Sequence, residues 1–185
     1  MATHHIQIFV DCESIVSGAK DPGSQIQMFA DSATTVLANQ GGDELSIQVN
    51  SGDDIQWSVF PRYPQQPGTT KAYSVLVSAT YAWNDSTLLK NWKAYQGSGP
   101  IFVYKDDGED IAPTTGNQTP IDAPIVVKGD FRPFVEAHAS LPGRPDPGSK
   151  QQEAYSFYIN IYQGDNPKPV VQDYSWDPFV MVVQT

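Results

Sequence analysis

The chain has 185 residues, of which 39% are apolar and only 17% charged, and its net charge is −10 at pH 7. An acidic chain whose lysines and arginines are scattered singly repels phosphate backbones, so nucleic acid is not an expected partner. No apolar stretch reaches the roughly 18 residues of a membrane-spanning helix, so we expect no membrane partner either.

The apolar residues favour strands over helices. Valine and isoleucine together number 28 and leucine only 6, and β-branched side chains fit a pleated sheet better than a helix. The 15 prolines and 14 glycines supply frequent breaks between short strands. This composition predicts an all-β fold.

The N-terminus shows no basic segment leading into an apolar run, so we expect no signal peptide. The predicted location is the cytoplasm, with non-classical secretion left open. Cys12 is the only cysteine, which excludes an intramolecular disulfide and predicts a small buried side chain.

Strands are predicted in chain order from period-two alternation. The first are Ile6–Val10, continuing towards Glu13, then Gln25–Ala30 and Thr34–Ala38. Leu45, Ile47 and Val49 alternate with polar residues, as do Ile55, Trp57 and Val59 after the turn Ser51-Gly52-Asp53-Asp54. Two alternating segments joined by a short turn predict a β-hairpin.

Asp85–Trp92 opens with an N-cap residue and places Leu88, Leu89 and Trp92 three to four residues apart, which predicts a short helix. Further strands are predicted at Tyr73–Tyr81, Ile101–Tyr104, Ile125–Val127, Phe131–His138, Ala154–Tyr162 and Tyr174–Val183. About nine or ten strands with at most one short helix indicate an antiparallel β-sandwich, immunoglobulin-like or jelly-roll-like. We expect one domain over residues 1–185, with both chain ends as neighbouring strands.

Few residues offer catalytic or metal-binding chemistry. Asp11 and Glu13 lie on one side of an extended strand, where paired carboxylates serve acid/base catalysis or bind a cation, although a solvated strand end explains them equally well. With Asp177 nearby they would suit a hydrolase. The acidic segment Lys105–Asp110 lacks the spacing of a calcium loop.

The three histidines, His4, His5 and His138, do not form a zinc or nucleophile motif. We therefore expect no catalytic residue, no metal and no cofactor.

Aromatic residues are the better candidates for a ligand-binding surface. Trp83, Trp92 and Tyr95 cluster in sequence around the predicted helix, where they would either stack on a carbohydrate or fill the core. Trp57 lies on an alternating strand and is expected to point inward. Trp176 precedes Asp177-Pro178 and is expected to close one end of the sandwich.

Three segments together resemble the AidA/PixA family of bacterial inclusion-body proteins. They are Asp11-Cys12-Glu13-Ser14-Ile15, the turn region Val49–Trp57, and Tyr155–Tyr162 followed by Tyr174–Phe179. The resemblance places Asp11, Glu13, Gly52, Asp53, Trp57, Trp176, Asp177 and Pro178 at mainly structural motif positions.

The resemblance implies a non-enzymatic, cytoplasmically made bacterial protein, connected with quorum-sensing-dependent expression or with intracellular inclusions. Methionine enrichment, reported for some inclusion-forming members, is not seen here, since Met1, Met28 and Met181 are the only methionines. We expect a homo-oligomer, most simply a dimer, acting through self-association or a protein partner. The alternative is a module that binds carbohydrate or another small ligand through Trp83, Trp92 and Tyr95, with Asp11 and Glu13 as further candidates.

Overall fold

The computed structural model describes residues 1–63, 72–83, 88–95, 133–164 and 166–185, and the backbone at 102–103, 109–110, 119–120 and 125–126. Strands dominate, and the helices of this described part, α1 (Cys12–Val16) and α2 (Pro22–Gln25), are five residues or shorter. No helix there is long and apolar enough to cross a bilayer. The predicted β class is confirmed.

The longer strands are β1 (Thr3–Val10), β2 (Ile26–Ala30), β3 (Thr35–Ala38), β4 (Ser46–Asn50), β5 (Asp54–Pro61), β6 (Tyr73–Ala82), β7 (Leu89–Tyr95), β12 (Phe134–Ala139), β13 (Lys150–Gln163), β14 (Val171–Trp176) and β15 (Phe179–Val183). Two-residue strands are β8 (Phe102–Val103), β9 (Glu109–Asp110), β10 (Thr119–Pro120) and β11 (Ile125–Val126).

The strands form two large sheets and a small separate pair, β8 with β11. Sheet A has the order β2-β1-β5-β12-β7-β9. Sheet B has the order β10-β6-β13-β15-β4-β3, and β14 pairs with the C-terminal part of β13. The sheets are mixed rather than purely antiparallel, because β1 pairs parallel with β5 and β15 pairs parallel with β4.

The predicted hairpin around Gly52 is wrong. β4 lies in sheet B and β5 in sheet A, so residues 51–53 carry the chain from one sheet to the other. The amide of Ser51 donates to the Val183 carbonyl and the amide of Gly52 to the Ala139 carbonyl. We call residues 51–53 the inter-sheet turn. The two chain ends are likewise in different sheets, with β1 in sheet A and β15 in sheet B, so they are not neighbouring strands.

The predicted helix at Asp85–Trp92 is also wrong over the part that the structure describes, because Leu89–Tyr95 is the strand β7. Asn91 has a positive φ of 54°, and the register with β12 shifts between Glu136 and His138. This bulge inserts one residue between buried Leu89 and buried Trp92. The insertion turns a period-two pattern into a spacing that imitates a helix.

The core lies between the inner faces of the sheets. Along β5, Ile55, Trp57 and Val59 are buried while the residues between them are partly exposed. The Trp57 ring meets the rings of Tyr155 and Phe157 from sheet B at centroid distances of 5.6 and 5.4 Å. The two sheets therefore pack against each other through these side chains.

Candidate functional site

The prediction that Asp11 and Glu13 lie on a strand is wrong. β1 ends at Val10, and Asp11 caps the helix α1. The Asp11 Oδ1 accepts a hydrogen bond from the Ser14 amide at 3.1 Å. Its Oδ2 lies 3.4 Å from Nη1 of Arg62. A carboxylate so engaged starts a helix and pairs with a cation, which leaves it poorly placed to act as a base.

Glu13 is joined by hydrogen bonds to residues of β6 and β13. The Tyr73 hydroxyl donates to Glu13 Oε2 at 2.7 Å, and Gln163 Nε2 donates to the Tyr73 hydroxyl at 3.2 Å. Burial and the adjacent Glu13 carboxylate raise the pKa of Tyr73 to about 12, so the phenol stays a donor. This polar cluster ties the end of sheet A to the end of sheet B.

The polar cluster offers no metal site. No group of three histidine, cysteine or carboxylate side chains suited to a metal ion occurs among the residues that the structure describes. Asp177, the third carboxylate of the hydrolase hypothesis, accepts a hydrogen bond from Ser156 instead of joining Asp11 and Glu13. Of the acidic segment Lys105–Asp110, residues 105–108 lie outside the described residues and only the backbone of 109–110 is described.

Asp53 is buried inside the inter-sheet turn. Its carboxylate accepts hydrogen bonds from the Ala2 amide at 2.6 Å, the Asn50 amide at 3.1 Å and His4 Nε2 at 3.2 Å. Burial acts to raise the pKa of Asp53, but these hydrogen bonds outweigh it and the pKa lies below its ordinary value. The neighbouring Gly52 has a φ of 103°, a conformation that side chains with a Cβ rarely adopt.

His4 on β1 extends this hydrogen-bond network from Asp53 to the segment between β2 and β3. His4 Nδ1 lies 2.9 Å from Thr34 Oγ1, and Thr34 Oγ1 donates to Asp31 at 2.6 Å. Both His4 and Thr34 are buried. The arrangement of hydroxyl, imidazole and carboxylate resembles a catalytic triad in order only, because Thr34 already donates to Asp31 and is closed to a substrate.

The three aromatic residues predicted to form one surface lie in three different places. Trp92 is only 1% exposed and stacks on Trp57 in the core at a centroid distance of 5.0 Å. Tyr95 lies on the outer face of sheet A, where it stacks on Phe134 at 4.9 Å. Trp83 is 41% exposed and follows the end of β6 in sheet B. The expectation of a shared platform is wrong, because Trp92 and Tyr95 are three residues apart on a regular stretch of β7 and therefore face opposite sides of sheet A.

The C-terminal motif residues have packing contacts. Trp176 is buried, and its indole nitrogen points to the sulfur of Met28 at 3.2 Å. The Pro178 carbonyl accepts a hydrogen bond from the Tyr155 amide at 3.1 Å. Asp177 accepts from Ser156, and the same Ser156 oxygen accepts from Trp83 Nε1 at 2.9 Å. Trp83 is therefore the partly exposed member of a hydrogen-bond series that runs through Ser156 to Asp177.

Partly exposed aromatic rings lie on five adjacent strands on the outer face of sheet A, a feature that the alternation pattern alone does not predict. We call them the aromatic band: Phe29 on β2, Phe9 on β1, Phe60 on β5, Phe134 on β12 and Tyr95 on β7. The Phe9 ring lies 6.0 Å from Phe29 and 5.8 Å from Phe60. The available signal was a phenylalanine at an outward position of an alternating strand, where a polar residue is expected.

A groove of about 370 Å³ lies between the end of α1 and the strand β14. Ile15, Lys20, Val171 and Tyr174 contribute to its lining. None of the residues predicted as a binding site from the sequence lines this groove.

Comparison with known proteins supports the fold and leaves the family open. A family model described as a domain of unknown function, DUF8788, matches residues 2–79. No curated protein matches the chain. The crystal structure of an inclusion body protein, PixA, from Burkholderia cenocepacia J2315 is similar over 100% of this chain and 96% of its own, with a TM-score of 0.55 and 11% sequence identity. At this identity the likeness concerns the fold alone.

Proposed function

We propose that this chain is a non-enzymatic AidA/PixA-type protein, a single β domain over residues 1–185, which acts by associating with itself. The shared fold of a protein named for inclusion bodies supports the first part of this proposal. The contacts of the motif residues support it too, since Asp53, Trp57 and Trp176 each have a packing or hydrogen-bonding role. Formation of inclusions would be an extreme form of the same self-association.

The aromatic band is the observation that carries the proposal. Phe29 is 37% exposed, and Phe9, Phe60, Phe134 and Tyr95 are partly exposed. The outer face of a surface sheet normally carries polar residues, whereas here two groups of touching rings, Phe29-Phe9-Phe60 and Phe134-Tyr95, lie on neighbouring strands. Aromatic residues, phenylalanine included, are also enriched at interfaces relative to the rest of the surface.

A second copy of the chain is the occupant that fits this surface best. The five rings of the band are uncharged, and the carboxylates on the same face already have partners, Asp54 in His138 and Glu136 in Gln56. A two-fold axis would bring the same band of both copies together, as the interface of a symmetric dimer requires. Each copy carries a net charge of −10, and the resulting repulsion weakens as salt screens it. We therefore expect a dimer whose affinity rises with ionic strength.

Sedimentation equilibrium over a range of protein and salt concentrations tests the proposal. The variant Phe9→Thr/Phe29→Thr keeps β-forming residues on both strands but removes two rings of the band. Val170→Thr is the matched control, because Val170 is 41% exposed and lies outside the band. We expect dimers of the wild type and of the control, and a monomer for the double variant with an unchanged circular dichroism spectrum. A monomeric wild type at high salt, or a double variant that dimerises as well as the wild type, would refute the proposal.

Binding of carbohydrate or another small ligand is the second candidate function. The exposed Trp83 ring, fixed by its hydrogen bond to Ser156, is the observation that favours it. Trp92 and Tyr95 do not belong to this site. Asp11 pairs with Arg62, and Glu13 accepts a hydrogen bond from Tyr73. Titration with a panel of monosaccharides and oligosaccharides, monitored by calorimetry, tests this function. Saturable heat that Trp83→Leu abolishes would support it, and absence of heat for every sugar would exclude it.

A further inference from the structure

The surface around Trp83 combines aromatic rings with carboxylates. The Tyr81 ring lies 5.5 Å from the Trp83 ring and is nearly perpendicular to it, at 86°. Tyr158 is on the same outer face of sheet B, two residues along β13 from Ser156, which is the strand partner of Tyr81. We call Tyr81, Trp83, Tyr158 and Asp177 the Trp83 site.

The indole ring is held in place before any ligand arrives. Trp83 Nε1 donates to Ser156 Oγ at 2.9 Å, and the Ser156 hydroxyl donates to Asp177 Oδ1. This hydrogen bond uses the only polar group of the indole, so the exposed part of the ring offers carbon atoms to a ligand. A fixed ring loses little conformational entropy when a ligand binds.

The charges at the Trp83 site select the ligand. Tyr158 lies within the electrostatic influence of both Asp173 and Asp177. Among the described residues no lysine or arginine forms an ion pair with Asp177, whose hydrogen bond comes from the neutral Ser156. The faces of aromatic rings carry negative potential that attracts cations, and carboxylates beside them add to that attraction. The net charge of −10 further concentrates cations at the surface.

We propose that the Trp83 site binds a small organic cation with a quaternary ammonium head group. The cation contacts the rings of Trp83 and Tyr81, and Asp177, joined to Trp83 through Ser156, supplies a counter-charge through its second oxygen. A neutral sugar would stack on Trp83 but would gain nothing from the charge at Asp177. This inference goes beyond self-association, since the site lies on sheet B and the aromatic band lies on sheet A.

Tryptophan fluorescence reports on this site selectively. Trp57, Trp92 and Trp176 are at most 3% exposed, whereas Trp83 is 41% exposed. The probe is choline, its neutral isostere is 3,3-dimethylbutan-1-ol, and glucose serves as the sugar. We expect a saturable change in emission with choline and an affinity at least about tenfold weaker for the isostere, because only the cation gains the attraction of the rings and the carboxylate.

Two variants test whether choline binds at the Trp83 site. Calorimetry replaces fluorescence for Trp83→Leu, because that variant lacks the fluorescent reporter. Trp83→Leu should abolish saturable choline heat, and Asp177→Asn, which keeps the size of the side chain, should weaken choline at least severalfold while leaving the isostere unaffected. Tyr63→Leu is the control, since Tyr63 is 54% exposed and its ring is not part of the site.

Equal affinities for choline and its isostere, or choline heat that survives Trp83→Leu, would overturn the proposal. Binding of glucose without choline would overturn it as well and leave the carbohydrate function standing. The titrations are repeated with Phe9→Thr/Phe29→Thr, so failure of self-association and failure of cation binding are read separately.

Discussion

Replacement of Asp53 by asparagine tests whether the inter-sheet turn is held by a buried carboxylate. The side chain is 3% exposed, and its two oxygens accept from the Ala2 amide, the Asn50 amide and His4. Asparagine has the same shape but only one acceptor oxygen. In either orientation of its amide, at least one N–H therefore loses its acceptor, either that of Ala2 or those of Asn50 and His4.

The expected cost follows from those hydrogen bonds. An unsatisfied buried donor costs about 1–3 kcal/mol, and each remaining bond loses part of its strength when the acceptor is no longer charged. Together these effects predict that the free energy of unfolding falls by about 2–4 kcal/mol in Asp53→Asn at pH 7.

The same replacement removes a pH dependence of known sign. The pKa of Asp53 is below its ordinary value of 3.8 in the folded protein, because its hydrogen bonds outweigh its burial. Its stabilisation is therefore complete above pH 3.8 and is lost as the pH falls through the folded value. Asp31 has a lowered pKa too, since hydrogen bonds from Thr34, His5 and Ala33 outweigh its burial. Asp31 is present in both proteins and cancels in the comparison.

Urea unfolding of the wild type and Asp53→Asn between pH 7 and pH 2.5 measures both effects. The difference in stability should be largest at neutral pH and should shrink below pH 3.8. Asp146→Asn is the control, because Asp146 is an exposed residue outside the inter-sheet turn. A difference below about 0.5 kcal/mol at pH 7, the range of ordinary surface changes, would refute this account of the turn.

The remaining predictions concern the turn glycine, the core and the cysteine. Gly52→Ala should cost about 1–2 kcal/mol by urea unfolding, because φ is 103° and no atom lies within 4 Å of the added Cβ, which leaves backbone strain alone. Trp92→Ala should cost about 3–5 kcal/mol and Trp83→Leu less than about 1, since only Trp92 is in the core. Cys12 should not react with a thiol reagent at pH 7 until urea unfolds the chain, because burial and the nearby Asp11 charge raise its pKa to about 12. Rapid labelling of the folded protein would contradict the buried position of Cys12.

The sequence predicted strands well where alternation is regular. β4 and β5 were both found from the alternation of Ile47 and Val49 and of Ile55, Trp57 and Val59. Their connection was misjudged, because a hairpin and a crossing between sheets have the same local pattern. The choice depends on partners distant in sequence, such as Ala139 and Val183, which bond to the inter-sheet turn.

The candidate sites were harder to predict, since small local features decide them. A single bulge at Asn91 gives β7 a helical spacing, and the odd separation of Trp92 and Tyr95 on that strand puts them on opposite faces of sheet A. A single helix cap moves Asp11 off its strand. The aromatic band joins residues from five strands, and only the order of those strands in sheet A brings them together.

Distances between spin labels on two copies test the face of association most directly. Buried Cys12 will not take a label in the folded protein. One exposed residue is therefore replaced by cysteine and labelled, either His5 of sheet A (His5→Cys) or Gln172 of sheet B (Gln172→Cys). Sheets that pack face to face lie about 10 Å apart. The account predicts that the intermolecular distance measured by pulsed dipolar spectroscopy at high salt is shorter for labels at His5 than for labels at Gln172. A shorter distance for Gln172, or no intermolecular coupling at either position, would contradict it.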